Sequence, residues 1–568
     1  MPKYFSGGFQ HRAGEHKTNE LVVFFHSPRE NASSIVRELL NPVYVRAPAE
    51  WYFDSGVLDY WRPYNYAMFR FYEENNLAAV AEGASGPYGT SLFDVREKVD
   101  FYGWMHFGDV RIVDENGGTG QMNLQYDFGF GMIVQSLRLA GYDAVNSYRW
   151  WLLGEQAIRH QADIDILHVH WGDSSQPSSY WIRWCWGGMF PHTPHGNPGL
   201  LNPHRGASPN LEFQWNRGLL LYYYLTGYEK AWEAAMEVSE NTYWRVVNGP
   251  GEPGYSGVSG DEARAAANAL DILINAYMAT LDDKYLRAAA IVVEQSHFET
   301  RWYRYGPASG YSSRTIAPWQ VAMLMVSLGR YLDLVKLVEG RVDSRALSSL
   351  IGYADWMLKY CYHSRGDRAS RHPHFIYRWR GDGIQLDWSP GAGANAWQVK
   401  IADAYAYAWL YTGNFTYLRI VVEQFAIGSK YFWYEGNPVG TFATGKNHAI
   451  LATSGNIAMR VIATNFSLSA FPDLLVEEGV VNVTFVLGDE ESHGIFGLGA
   501  KIPDVMSAVE LAFALGLAGN SGTCTCLLDT EFMVWDDNIA INWSLIPSKF
   551  LISVGGPGVN LLSLYYNG

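Results

Sequence analysis

Seven of the sixteen histidines, His106, His160, His168, His170, His192, His195 and His204, fall between residues 102 and 227. Asp109, Asp127, Asp163, Asp165 and Glu212 lie among them. Imidazoles titrate near neutrality and carboxyls can be tuned towards it, so this concentration suits proton transfer. Three of the histidines share one Pro- and Gly-rich stretch, FPHTPHGNPGLLNPHRG, in which Arg205 follows His204. Tyr102 and Tyr126 stand in two earlier polar phrases, YGWMHFGDV and NLQYDFGFG. β-Elimination at a uronic acid needs such parts: a base for the C5 proton, an acid for the leaving oxygen, and a group that offsets the carboxylate. His204 or His195 is the expected base, Tyr126 the acid, Arg205 the carboxylate clamp and Glu212 a further catalytic carboxylate. His106, Asp109, Asn123, Asp127 and Asp165 are the expected contacts to sugar hydroxyls, with Trp215, Trp319 and Trp397 as stacking surfaces. The structural alternatives are plain ones. Loop histidines can simply bond backbone carbonyls, and Asn123 can cap a helix, an effect of about 1 kcal/mol.

Composition points the same way. Aromatic residues make up 15% of the chain, with 22 Trp, and flat rings suit the apolar faces of pyranoses. A net charge of −15 excludes the basic face that nucleic acid requires. No apolar run approaches the length needed to span a bilayer. The four cysteines, Cys185, Cys361, Cys524 and Cys526, make neither a disulfide framework nor a zinc motif. His168-x-His170 and His192-x-x-His195 could each face a metal, but neither spacing is diagnostic, so no metal is assigned. Calcium held by Asp163 and Asp165 is the one cofactor considered. Hydrolysis is the rival reaction, with its two carboxylates drawn from Asp109, Asp127, Glu212, Asp261 and Glu262. A non-catalytic surface or carbohydrate-binding protein is the third reading.

The elements that must position these groups repeat. An apolar helix, a small turn, an aromatic and a second helix recur around Gly141, Gly227, Asp282, Gly329 and Gly413. Trp319-Gln320-Val321 and Trp397-Gln398-Val399 each open a helix in this pattern. Irregular helical hairpins of this kind predict a mainly α chain closed into an (α/α) toroid over 106–455. Residues 1–105 read as the end of a β domain plus an aromatic-rich connecting segment. Residues 456–568 read as a small α/β module, with VVNVTFVLG and KFLISV as strands and DVMSAVELAFALGLAG as a helix.

The phrases EHKTNELVVFF, YGWMHFGDV, NLQYD, HQADID and RGLLLYYYLTG, spread over residues 10–300, resemble the exo-acting rhamnogalacturonan lyases. That resemblance implies N-terminal β domains, here nearly missing, ahead of an α/α toroid that cleaves a uronate-containing polysaccharide by β-elimination. VNVTFVLG, DVMSAVELAFALG and LISVGGPGVN resemble a module of archaeal surface-layer and envelope proteins. It implies an extracellular or cell-surface-attached enzyme with a polysaccharide as its partner. The opening MPKYFSGGFQ has no apolar core of a signal peptide, so the export signal is expected to be absent from this chain.

Overall fold

The computed structural model describes residues 46–81, 91–103, 107–113, 119–122, 125–168, 186–189, 211–249, 263–307, 314–366, 370, 372–383, 385–386, 395–431 and 444–466. It also describes a few positions between 18 and 36 and six strands beyond residue 475. The expected strand in EHKTNELVVFF, the helix in DVMSAVELAFALGLAG and the GGPGVN turn lie largely outside these residues.

Three short helices come first: α1 (Ala49–Asp54), α2 (Tyr66–Ala78) and α3 (Leu92–Val99). A hairpin of β1 (Val110–Val113) and β2 (Thr119–Met122) follows, antiparallel with Val110 opposite Met122. Helical hairpins then alternate. The first helix of each is α4 (Phe128–Arg138), α6 (Arg217–Thr226), α8 (Ala263–Thr280), α10 (Pro318–Glu339) and α12 (Trp397–Thr412). Their partners are α5 (Ala144–His160), α7 (Glu229–Asn248), α9 (Asp283–Gln295), α11 (Ser344–Tyr360) and α13 (Phe415–Lys430). α14 (Thr444–Ala452) and α15 (Asn456–Phe466) complete the helices.

The first members pack on one another in turn, α4 on α6, α6 on α8, α8 on α10 and α10 on α12, and α14 bridges α12 back to α4. The ring is therefore closed: an α/α toroid. Helices buried on every side need apolar or small residues all round. In α8, ARAAANALDILINAYMAT, all but a few of the residues are buried. The partner helices form the outer layer. α2 packs against α13 and α14 and so fills an outer position from upstream of residue 106, while α15 continues α14 against α12 and α13. The toroid thus draws on residues 66–466, wider at both ends than the sequence suggested.

One rim carries the short turns. Gly227, Gly340 and Gly413 end α6, α10 and α12 in the left-handed conformation, which glycine adopts without a Cβ penalty. Asp143, Asp282, Asp343 and Asn414 then cap the returning outer helices with their side chains. Gly329 does not mark a turn. It lies inside α10, where a Cβ would sit 2.2 Å from the Tyr407 ring, so its smallness lets two inner helices touch. The long connections, including 161–216, 296–317 and 361–396, all run from an outer helix back to the next inner one. The helix ends they join stand at the opposite rim.

An internal ion pair ties α2 to the ring. Arg138 donates to Glu73 Oε2 at 3.0 Å, to Gln135 Oε1 at 2.8 Å and to the Arg62 carbonyl at 2.8 Å. Beyond the toroid, β3 (Val476–Glu477) pairs antiparallel with β4 (Val480–Leu487), which pairs in parallel with β5 (Ser521–Leu528) and β6 (Phe550–Val554). Parallel neighbours require crossover connections, as the expected α/β module would have. Among the described residues no helix is long and apolar enough to cross a membrane.

Candidate active site

The inner ring encloses a cavity of about 100 Å³, room for several waters when one needs roughly 10–15 Å³. Every inner position contributes to its wall: Tyr126, Asp127 and Phe130 at α4, Gln214, Trp215 and Arg217 at α6, Asn268 and Asp271 on α8, Met323 and Arg330 on α10, Lys400 and Asp403 on α12, and Thr453 and Asn456 between α14 and α15. Trp61, from the segment before α2, also lines it.

Asp127 is held at a junction. It and Tyr126 have φ of 59° and 68°, a left-handed pair that is uncommon away from glycine and persists where surroundings enforce it. Asp127 Oδ1 accepts from Phe130 N at 3.3 Å, capping α4, and Oδ2 accepts from Gly218 N at 3.0 Å in the first turn of α6. The Asn123 cap envisaged from sequence is thus supplied by Asp127. Gly218 is a close approach: a Cβ there would lie 2.6 Å from Asp127 Oδ1. Burial pushes the Asp127 carboxyl up to about 7, aided by the nearby charge of Asp271 and opposed by the two backbone donors.

Two further groups in the wall are displaced towards neutrality. Burial raises Asp403 to about 6, although it accepts from Gly455 N at 2.6 Å, Ala458 N at 3.0 Å and Ile457 N at 3.1 Å. Those bonds cap α15 at the break in the sixth inner position. Burial lowers the Lys400 ammonium to about 8, against the pull of Asp403 and Asp271. Arg330 links Asp59 (Nε–Oδ2 3.1 Å), Asn275 (Nη2–Oδ1 2.9 Å) and Asp271, and Arg217 also bonds Asp59. Despite burial, the two guanidiniums hold the Asp59 carboxyl below its ordinary value.

Behind Tyr126 in the cavity wall lies a cluster of rings; Trp319 and Trp397, expected as stacking surfaces for the sugar, do not themselves line the cavity. Trp319 and Trp397 stack with centroids 4.2 Å apart and planes 28° from parallel. Tyr126 meets Trp397 edge-on at 5.1 Å and Trp319 at 6.4 Å. The repeated Trp-Gln-Val phrase therefore puts two indoles at one height, in contact.

The other sequence candidates divide. Glu212 is half-buried in a single turn, Leu211–Phe213, whose carbonyls accept from Asn268; it does not line the cavity. Asp109 and Asp165 do not line it either. They face His160, with Nε2 3.4 Å from Asp109 Oδ1 and 3.2 Å from Asp165 Oδ1. The His160 Nδ1–H donates to the Phe107 carbonyl at 3.0 Å, which turns Nε2 towards the carboxylates. Their three ligand atoms lie within 4.8 Å of one another, a mixed N/O set better matched to a transition ion than to calcium's six to eight oxygens. The chain reaches Asp165 through a π-turn, Gln161–Asp165. Asp163 turns elsewhere and accepts from Thr18 N and Oγ1, both at 2.8 Å, so Asp163 and Asp165 do not converge as a calcium pair. His168 is engaged at both nitrogens, by Glu237 and by the Ala162 carbonyl at 2.7 Å, which removes it as a metal ligand. His106, Asn123, His170, His192, His195, His204, Arg205, Asp261 and Glu262 lie outside the described residues.

Asp271, Arg330, Lys400 and Asp403 were not anticipated. Their signal was present, since each is a charge flanked by apolar residues within a helix that is buried along most of its length, where an ionised group is rarely buried without a role or a partner. Asp59 and Trp61, in SGVLDYWRP, carried no comparable sign.

No protein-family profile matches this sequence, and no curated protein is recognisably similar to it. Among solved structures, it is similar to a cellobiose 2-epimerase from Bacillus thermoamylovorans B4167, with 12% identity and a TM-score of 0.40 over 62% of this chain and 92% of that one. A mutant unsaturated glucuronyl hydrolase from Streptococcus agalactiae is 12% identical, with a TM-score of 0.38 over 74% of this chain and 97% of that one. A beta-arabinofuranosidase is 14% identical, with a TM-score of 0.32 over 69% of this chain and 55% of that one. All three are carbohydrate enzymes by name. Likenesses at this level add nothing to a toroid already established by its own helix contacts.

Proposed function

We propose that this protein is a carbohydrate-active enzyme that hydrolyses a glycosidic bond at the toroid's central cavity, with Asp127 as proton donor. The observation that carries the reading is Asp127 itself: a carboxyl raised to about 7, fixed by two helix ends, in a cavity whose wall also holds Tyr126 and Trp215. A carboxyl still protonated near neutrality can give its proton to the leaving oxygen. Hydrolysis also needs a second carboxylate to direct water or attack the anomeric carbon. Asp271 lines the same cavity and shifts Asp127 through space, so it takes that part. Arg330 and Asn275 bond its oxygens, which keeps it oriented.

Elimination at a uronic acid is the second reading. Lys400, lowered to about 8, is tuned as a base for a C5 proton, and the resemblance to rhamnogalacturonan lyases supports the same chemistry. In that reading His195, His204 and Arg205 would act from their loop and Tyr126 would protonate the leaving oxygen. One assay separates the two. Incubation with neutral and uronate-containing oligosaccharides should release reducing ends without the ultraviolet absorbance of an unsaturated uronate. Absorbance growing in step with reducing ends would replace hydrolysis by elimination. Release of neither from any glycan would leave the protein a binder, with attachment to a cell surface as the remaining proposal for its place.

A further inference from the structure

We infer that Arg264 is the recognition residue for a carboxylate, and that the sugar entering the cavity is therefore a uronic acid. The inference rests on the proposed carbohydrate site and adds to it the charge of the substrate. Arg264 lies in the first turn of α8, one turn from Asn268 in the cavity wall. It is only 5% exposed. Its guanidinium lies 4.4 Å from the Phe213 ring, 5.1 Å from Tyr126 and 5.9 Å from Trp319. Aromatic faces stabilise a cation but offer no acceptor in the plane of the guanidinium. Among the described residues, Arg264 Nε and Nη2 have no hydrogen-bond partner.

Those two nitrogens form one edge of the guanidinium fork. A buried arginine stays charged, and a buried charge without a counter-ion is costly. The edge with two parallel N–H donors matches the two oxygens of one carboxylate. The indole Nε1 atoms of Trp319 and Trp397, buried in the ring cluster around Tyr126, are also without partners among the described residues. The two guanidiniums in the cavity wall are committed differently: Arg217 and Arg330 share Asp59. Arg264, one turn from that wall, keeps its fork edge open among the described residues. The expected clamp at Arg205 and this one are independent proposals.

Calorimetric titration tests it without relying on turnover. The probes are D-galacturonate, D-glucuronate, D-galactose and glucose 6-sulfate, added to the full chain. Wild type should prefer the uronates to galactose. Arg264→Gln should weaken uronate binding by about 100-fold, the loss of a charge-assisted pair, with galactose unchanged. Arg264→Lys should recover part of it, since the charge returns but the fork does not. Because binding is read without turnover, a failed catalytic assignment at Asp127 would not be confused with a failed anion site. Thermal melts establish that each variant folds; if Arg264→Gln does not, the Lys variant and the wild-type preference decide. Equal binding of uronate and galactose by wild type, or undiminished uronate binding by both variants, overturns the inference. Glucose 6-sulfate binding as tightly as the uronates overturns the carboxylate assignment.

Discussion

A carboxyl that keeps its proton to about pH 7 makes specific demands on the pH profile. If Asp127 donates the proton, kcat should fall on the alkaline side with a midpoint near its value of about 7, read from initial rates across pH. Asp127→Asn keeps one acceptor oxygen for a helix cap, loses the other and has no acidic proton to give, so kcat should drop on the order of a hundred- to ten-thousand-fold. Stability responds as well. Asp127 and Asp403 titrate at about 7 and about 6 when folded, against 3.8 ordinarily. The folded chain therefore binds more protons than the unfolded one between those values, and its melting temperature should fall as pH rises through that window. Lys400, lowered from 10.5 to about 8, works oppositely: stability should rise with pH between those limits. In Asp127→Asn the acid-side decline should be shallower; an unchanged slope would show that Asp127 is not the group responsible. At this scale the sequence was half legible. The phrase NLQYDFGFG marked Tyr126 and Asp127, because polar residues directly before an apolar helix must sit at its end. Asp271, Arg330 and the pair Lys400 and Asp403 come from three inner helices, α8, α10 and α12, and only ring closure brings them together.

At the scale of elements, two devices carry most of the architecture. The short-turn rim repeats a glycine in the left-handed conformation and an Asp or Asn cap, and both residue types are readable from sequence. That is why most hairpins were anticipated. Gly329 misled because a glycine in LGRY looks the same whether it ends a helix or lets another helix approach. Its true role predicts that Gly329→Ala, good for helix propensity, is destabilising by about 1–3 kcal/mol through overpacking against Tyr407, measured by chemical denaturation; a stabilised variant would show that the two helices are not in contact there. The break between α14 and α15 is the second device. Asp403 satisfies three buried helix-end N–H groups at that break, so Asp403→Ala should cost about 1–3 kcal/mol. A neutral result in the same denaturation experiment would mean that the break is held by something else.

At the scale of the whole molecule, closure is the property on which the cavity depends. The outer position taken by α2 comes from residues 66–78, upstream of the repeats, and no periodicity in the sequence could have assigned it. The buried Arg138–Glu73 pair fixes it, with both side chains at most 2% exposed. Removing one partner leaves an uncompensated internal charge, so Glu73→Ala should destabilise by about 3–5 kcal/mol and reduce activity in step with the folded fraction. Full stability in that variant would contradict the role given to α2. The account as a whole turns on the centre of the ring as the place where a glycosidic bond breaks. The most direct test is a structure of Asp127→Asn soaked with an oligosaccharide that the wild type cleaves. The leaving oxygen should lie within hydrogen-bond reach of residue 127, beside Tyr126. A sugar bound elsewhere on the protein, with the central cavity holding only water, would contradict it.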